Sequence, residues 1–302
     1  MNIRRQPIRP LPVILPPLAD ELLSSWIDRH AAFIGVSGRR LLRHYLIDVP
    51  SVRDLDLSLS RRHAALLADA LRCSQYQVRS MTQSRGGKVR SGLVAIRTPS
   101  QFCRACAQSH LRSVATRGAR LRSWMEGWRI TCPVCGAALE DFRLMTRIVR
   151  ADPGDAFLAR VDARAREGEQ VMHRASWQHS GGCAHVALMR GLLLPQTPRA
   201  AATGTPARRL LDVVVPGSDE FFGRLPPGNW PCSNRSLPLS VRIPMLAGVA
   251  AVSACPEYWT ERLIGAAARR DQPGMLQCVG ALATADRAGP RIPRAVRFRR
   301  LL

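Results

Sequence analysis

The sequence predicts a mainly α-helical, multi-domain protein with one small β element in its first half. Three observations lead to this prediction. Apolar residues recur at helical spacing in most segments, as in Leu22, Leu23 and Trp26 near the start. Two Cys-x-x-Cys pairs enclose a short stretch in which side chains alternate as they do in a strand. At 302 residues the chain is long enough to form two or three hydrophobic cores.

The N-terminal region is predicted to hold two helices. Residues 1–17 are punctuated by prolines and should be extended. Asp20 is placed to cap the first helix, whose apolar stripe continues to Phe33 and Ile34. A second helix is expected over residues 38–47, because the pair Val49-Pro50 disfavours helix beyond it.

Residues 60–83 predict two further helices joined by a tight turn. Ser60 opens the first, and Ser74 with Gln77 forms a capping-box pair for the second. The outer face of the second helix would show Gln75, Arg79, Thr82 and Arg85. This arrangement is typical of a helix-turn-helix that contacts DNA. An ordinary helical hairpin with a solvated polar face is the alternative, favoured by the absence of the usual turn glycine.

Four cysteines have the spacing of a zinc ribbon, Cys103-x-x-Cys106 followed by Cys132-x-x-Cys135. Two thiolates three positions apart on a turn reach one metal ion from the same side, and a second turn completes a tetrahedron. A closed set of four soft thiolates favours one structural Zn²⁺ with no open position for catalysis. Unrelated buried cysteines or two redox pairs are the alternatives.

The segment between the two pairs is predicted to be a β-hairpin that supports the metal site. Alternation over residues 120–125 indicates one strand, and alternation over residues 128–132 indicates another. Trp124 and Trp128 are expected to pack on the cysteine turns; stacking on nucleic-acid bases is the less common use of such rings.

The C-terminal half is predicted to be helical and rich in arginine. Helices are expected over about residues 155–167, 181–193, 206–214, 240–254, 257–270 and 272–283. His173, His179, Cys183 and His185 are close in sequence, but their irregular intervals favour packing roles over a second metal site. The tail from Arg287 to Leu302 is either an arm that grips nucleic acid or a solvated end.

These features divide the chain into three parts. We expect an N-terminal helical domain over residues 1–90 and a zinc ribbon over residues 91–145. A helical, arginine-rich region is expected over residues 146–302. A glycine pair, Gly86-Gly87, marks the expected linker into the ribbon.

Charge points to an acidic partner, most simply nucleic acid. The formal net charge is +23, almost all of it from arginine, which grips phosphate bidentately. The odd count of nine cysteines argues against a disulfide framework and favours a reducing cytoplasm. Residues 243–254, the longest apolar run, are too few to span a bilayer, and no secretory signal is visible, so no membrane association is expected.

Motifs of catalysis are absent from the sequence. It has no G-x-x-x-x-G-K-[ST] loop, no H-E-x-x-H and no G-x-S-x-G. Asp54, Asp56 and Asp69 are too sparse to suggest the clustered carboxylates of a metal-dependent nuclease. The protein is therefore predicted not to be an enzyme, and a nuclease or recombinase with a cryptic site is kept as a lesser hypothesis.

The order of motifs resembles the TniQ family of bacterial transposition proteins. The stretch from Leu15 to Arg29 is similar to that family's opening signature of proline, acidic residue, Ser-Trp and Arg. The two cysteine pairs, with the segment Trp124 to Trp128 between them, are similar to its metal-binding core. The resemblance spans about residues 13–142, and it departs from the common pattern at Cys135, where the family often has histidine.

This resemblance implies a non-catalytic adaptor in target-site selection, with DNA, an AAA+ ATPase regulator and a transposase as partners. It also implies a bacterial cytoplasmic, nucleoid-associated location. By position and charge, the candidate nucleic-acid contacts are Arg79, Arg85, Arg120 and Arg122. A zinc-ribbon or helix-turn-helix transcriptional regulator unrelated to transposition is the alternative. Whether the chain forms a homodimer stays open.

Overall fold

The fold is described from a computed structural model that covers residues 9–83, 101–141, 155–177, 181–196, 208–225 and 237–288. The chain forms two compact units, one of residues 1–150 with 231–237 and one of residues 151–230 with 238–302. The predicted N-terminal helices and the predicted zinc-ribbon segment lie in the first unit. The finer division at residues 90 and 145 stays a prediction.

The described part of the first unit is mainly helical, with very short strands. Its helices are Leu23–Phe33 (α1), Gly38–His44 (α2), Asp54–Leu57 (α3), Arg61–Ala70 (α4), Gln75–Ser80 (α5) and Arg104–Leu111 (α6). A 3-10 helix covers Arg122–Met125. Strands Gln101–Phe102 (β1) and Glu140–Asp141 (β2) pair antiparallel, with Gln101 opposite Asp141. The expected combination of many helices and a small β element is confirmed.

The core of the helical region is formed by the apolar stripe of α1. Trp26 and Ile27 are each 1% exposed and pack with Leu42 of α2, Leu55 of α3 and Leu67 of α4. Burying each such side chain contributes about 1.5–3 kcal/mol. The helical period in the sequence therefore identified the face that α1 buries.

The N-terminus of α1 is capped from a distance. Leu22 occupies the N-cap position and supplies no side-chain hydrogen bond. Instead, the carboxylate of Asp56 accepts hydrogen bonds from the backbone N–H of Ser24 at 2.9 Å and from its hydroxyl at 2.6 Å. The prediction that Asp20 caps this helix is wrong, because that carboxylate binds elsewhere in the unit.

Helices α4 and α5 form the predicted tight pair. The Ser60 hydroxyl accepts a hydrogen bond from the N–H of His63, and the Ser74 hydroxyl accepts one from that of Gln77, so both predicted caps are confirmed. Between the helices Arg72 has a φ of 51°, the left-handed conformation that a turn glycine would otherwise supply. Thr82 is buried, so its expected place on the outer face is wrong.

The described part of the second unit is also helical. Its helices are Ala156–Trp177 (α7), Gly181–Gly191 (α8), Leu210–Val214 (α9), Ser218–Gly223 (α10), Leu239–Ala254 (α11), Pro256–Ala266 (α12) and Gln272–Ala288 (α13). All six predicted helices are found, and α10 is an addition. Residues 289–302, most of the predicted basic tail, lie outside the described residues.

Helix α11 is the centre of this unit. It is buried around most of its circumference, and even Arg242 on it is fully buried. Gly168 of α7 lies so close to α11 that an added Cβ would stand 1.9 Å from the carbonyl oxygen of Leu246. Among the described helices, none has both the length and the apolar character needed to cross a membrane.

Candidate metal centre

The first cysteine turn lies where β1 leads into α6. Cys103 is the N-cap residue of α6 and has extended backbone angles, while Cys106 lies in the first turn of that helix. The backbone N–H of Cys106 donates to the Cys103 sulfur, which favours the thiolate. The change from strand to helix therefore directs both sulfurs to one side.

The second cysteine turn is closed by backbone hydrogen bonds. The N–H of Cys132 donates to the carbonyl of Ala137, and the N–H of Gly136 donates to that of Cys132, each at 2.8 Å. Gly136 has a φ of 76°, a conformation that glycine adopts without cost. The N–H of Ala137 donates to the Cys135 sulfur and lowers the pKa of that thiol.

The two turns bring all four predicted ligands together, with sulfur atoms that lie within 4.8 Å of one another. Cys103 and Cys135 are 3.4 Å apart at sulfur, and Cys106 and Cys132 are 3.7 Å apart. Four thiolates bound at about 2.3 Å to one tetrahedral ion would have sulfurs about 3.8 Å apart. The cluster therefore has the donor set and the dimensions to hold a metal ion.

Burial makes the thiolate form of two cysteines in this cluster unfavourable unless a cation lies beside them. It raises the pKa of the Cys103 thiol to about 11 and also raises the pKa of Cys106. Thiolates at these two positions would cost free energy without a neighbouring cation. A bound cation supplies that charge, and the N–H groups directed at Cys103 and Cys135 assist it.

The segment between the cysteine turns differs from the predicted hairpin. Residues Arg122–Met125 form a 3-10 helix, and the short β pairing lies outside them, in β1 with β2 and in a bridge between Thr131 and Ala138. The alternation over 120–125 was misleading because most side chains there are buried, on both sides of the chain.

Both tryptophans of this segment belong to its core, since each is 4% exposed. The ring of Trp124 meets that of Phe102 edge to face, with centroids 6.5 Å apart. Because Phe102 directly precedes Cys103, this contact supports the first cysteine turn. Burial thus favours the packing interpretation over base stacking.

A buried ion pair joins this centre to α1. The guanidinium of Arg29 donates to both carboxylate oxygens of Glu21, at 2.7 and 2.6 Å, and also to the backbone carbonyl of Ala115. The Ser25 hydroxyl donates to Glu21 and accepts from the N–H of Arg120. Glu21, Ser25 and Arg29 are therefore structural, a role that sequence analysis missed although three polar residues in an apolar stripe were visible.

Two of the four predicted nucleic-acid contacts are already ion-paired. Arg120 donates to Asp28 at 2.6 Å, and Arg122 binds Asp20 at 3.1 Å. Arg79 is half-buried on α5, while Arg85 lies outside the described residues. Within the described part of the chain, Arg79 is therefore the candidate that is not paired with a carboxylate. Contact of any of these arginines with DNA stays a prediction.

A possible second metal group in the C-terminal half gains no support. Among the described residues, the four cysteines above are the group whose ligand atoms converge. His179 and the side chain of Cys183 lie outside what the structure describes.

Fold and site together define a mainly helical protein with a compact four-cysteine centre built into its first unit. Comparison with protein families makes this class specific: residues 12–139 match the family model described as TniQ. The chain therefore carries a TniQ domain, and the resemblance to that family is confirmed. The family of this domain is associated with transposition. Comparisons with curated proteins and with solved structures find no match.

Proposed function

We propose that this protein is a non-catalytic, DNA-binding adaptor that selects target sites in DNA transposition. It would link target DNA to an AAA+ ATPase and a transposase in the bacterial cytoplasm, at the nucleoid. The observation that carries the proposal is the TniQ domain over residues 12–139. A net charge of +23 supports an anionic partner.

The metal in this proposal is one structural Zn²⁺. Four cysteines and no weaker ligand make up the cluster, and such a closed thiolate set favours zinc and leaves no open coordination position. The ion would hold β1, α6 and the second cysteine turn together. Its binding energy would then contribute directly to the folding of residues 101–141.

Helices α4 and α5 are the proposed DNA-reading element. Tyr76 on α5 is 82% exposed, and Gln75 beside it is exposed as well. Arg79 lies one turn further along the helix, and Arg72 occupies the turn before it. Exposed hydrogen-bonding and aromatic side chains, with the half-buried Arg79 on the same helix and the exposed Arg72 before it, suit contacts with base edges and phosphates.

Pull-down with the full-length, zinc-bound protein tests the adaptor role, together with binding to duplex DNA. We expect it to capture an AAA+ ATPase and to bind DNA, with affinity that falls steeply as salt rises. DNA binding with promoter occupancy but no ATPase would favour the transcriptional regulator instead. Specific cleavage in Mg²⁺ that a carboxylate substitution abolishes would overturn the non-catalytic proposal.

A matched pair of tyrosine variants tests the reading element. Tyr76→Ala should weaken DNA binding at least several-fold, because an exposed ring on α5 is lost from the interface. Tyr258→Ala is the control, since Tyr258 is 53% exposed but lies on α12 of the second unit. Equal affinities for the two variants would argue against α5 as the contact element.

A further inference from the structure

We propose that the exposed side of α2 is a second contact surface for the phosphates of duplex DNA, separate from α4 and α5. Its contact groups are Arg39, Arg40 and Arg43, which we call the α2 arginine face. The inference rests on the proposed DNA-binding function and adds to it a surface outside the helix-turn-helix element.

Helix α2 divides cleanly into two sides. Leu41 and Leu42 are buried against the core, whereas the three arginines are exposed. Among the described residues, the carboxylate nearest to this face is that of Asp48, which lies 3.8 Å from Arg43. Both partners of that pair are more than 60% exposed, so it contributes little and leaves Arg43 available.

Some arginines of the same unit are used differently. Arg29 is bound to Glu21 at 2.6 Å, and Arg120 is bound to Asp28 at the same distance. Their charges are neutralised inside the unit and hold its parts together. The α2 arginine face keeps nearly all of its charge, so it presents a local positive field to solvent.

Carrying this charge costs the helix stability. Arg39 and Arg43 are four positions apart and Arg40 and Arg43 are three apart, so like charges face each other on the helix surface. Each such pair destabilises by about 0.2–0.5 kcal/mol, and α2 contains no acidic residue to offset it. An uncompensated cost of this kind is expected where the charge serves an external anion.

The face is also held rigidly. Gly38, the first residue of α2, lies so close to α1 that an added Cβ would stand 2.3 Å from Asp28 Oδ1 and 2.9 Å from Val52. The Ser37 hydroxyl caps the helix by accepting from the N–H of Arg40. Little ordering entropy would therefore be lost in positioning this backbone on a partner.

The spacing suits a duplex. Four residues of helix advance about 6 Å, so Arg39 and Arg43 can reach different phosphates. Phosphates on one strand follow at about 3.4 Å along the DNA axis, so the span covers about two of them. Planar guanidinium groups bind phosphate bidentately, which is why we commit to the nucleic-acid backbone as the partner.

The test compares the salt dependence of binding to a mixed-sequence duplex. In the full-length, zinc-bound protein, Arg39→Gln/Arg40→Gln/Arg43→Gln should reduce the slope of log K against log salt by about 2–3, since each phosphate that is no longer neutralised lowers it by about 0.9. Its control is Arg164→Gln/Arg166→Gln/Arg270→Gln, which removes the same charge from exposed, carboxylate-paired positions. This control should keep the wild-type slope.

A second variant, Arg39→Lys/Arg40→Lys/Arg43→Lys, keeps the charge and should retain most of the slope. This comparison does not depend on how well the glutamine variant folds. Wild-type slopes in both the glutamine and the control variants would overturn this inference and leave the proposed function intact. The inference is also overturned if the glutamine variant loses ATPase capture, or binding to anionic vesicles, while its DNA binding is unchanged. Failure of the wild-type protein to bind DNA would overturn both.

Discussion

The carboxylate of Asp20 accepts a hydrogen bond from the backbone N–H of Ser123 at 2.9 Å, across more than a hundred positions of sequence. Ser123 lies in the first turn of the 3-10 helix between the two cysteine pairs. The same carboxylate binds the Arg122 side chain. Asp20, in the N-terminal region, therefore caps the 3-10 helix of the metal-binding segment. Unfolding of either part would break this contact, so the stability of the N-terminal helical region and that of the metal-binding segment depend on each other.

Asp20→Ala should lower the free energy of unfolding by about 2–3 kcal/mol. Loss of a cap costs about 1 kcal/mol, and the φ of 58° at this position costs an alanine about 1–2 kcal/mol more. Asp20→Asn should cost less, since asparagine tolerates this conformation and keeps an acceptor. Urea unfolding measures the difference, with the exposed Asp48→Ala as a near-neutral control; equal losses for all three variants would contradict the assignment.

Cys132→Ser should release the metal and unfold at least residues 101–141. Cys132 is 1% exposed and its thiolate completes the four-sulfur set, so the site's binding energy is lost from folding. Elemental analysis and thermal melting check this. Cys255→Ser is the matched control, because Cys255 is exposed and lies outside the cluster. An unchanged melting curve for Cys132→Ser would count against a structural site.

Asp56 should make stability depend on pH. Burial raises the pKa of this carboxyl from 3.8 to about 6, so between these values the folded protein holds a proton that the unfolded chain releases. Its contribution to stability therefore falls as pH rises through that window and is constant above it.

Comparison with Asp56→Asn isolates this contribution. Between pH 5 and pH 7 the stability of the wild-type protein should fall by about 1 kcal/mol relative to the variant, whose side chain does not titrate. Denaturant unfolding at several pH values, with zinc present throughout, gives both curves. Curves that stay parallel over this range would show that Asp56 titrates normally.

Two glycines of the second unit should respond in opposite directions to alanine. Gly168→Ala should destabilise by at least about 1–3 kcal/mol, because the new Cβ would overlap the carbonyl of Leu246 and force α7 and α11 apart. Gly265→Ala on α12 should stabilise by about 0.5–1 kcal/mol, since nothing lies within 4 Å of its added Cβ. Thermal unfolding distinguishes them, and destabilisation of equal size at both positions would contradict the packing described.

Much of the site could be predicted because its determinants are local. The ligands Cys103, Cys106, Cys132 and Cys135 follow from a spacing that a single turn must satisfy, and the family signature lies in the same stretch of chain. Caps at Ser60 and Ser74 were equally predictable, since each hydroxyl bonds to an N–H three residues on. Most helical segments followed from the period of apolar residues, whereas α3, α6 and α10 were not predicted.

Tertiary structure alone decided which distant groups meet. Backbone N–H groups at a helix end donate to any carboxylate that packing brings near, so Asp56 caps α1 and Asp20 caps the 3-10 helix, against local expectation. Packing likewise directs Arg120 and Arg122 to carboxylates and leaves Arg39 and Arg40 exposed, although all four are the same residue type. A sequence pattern reports burial and local geometry, whereas the pairing of charges depends on where the folded chain places their partners.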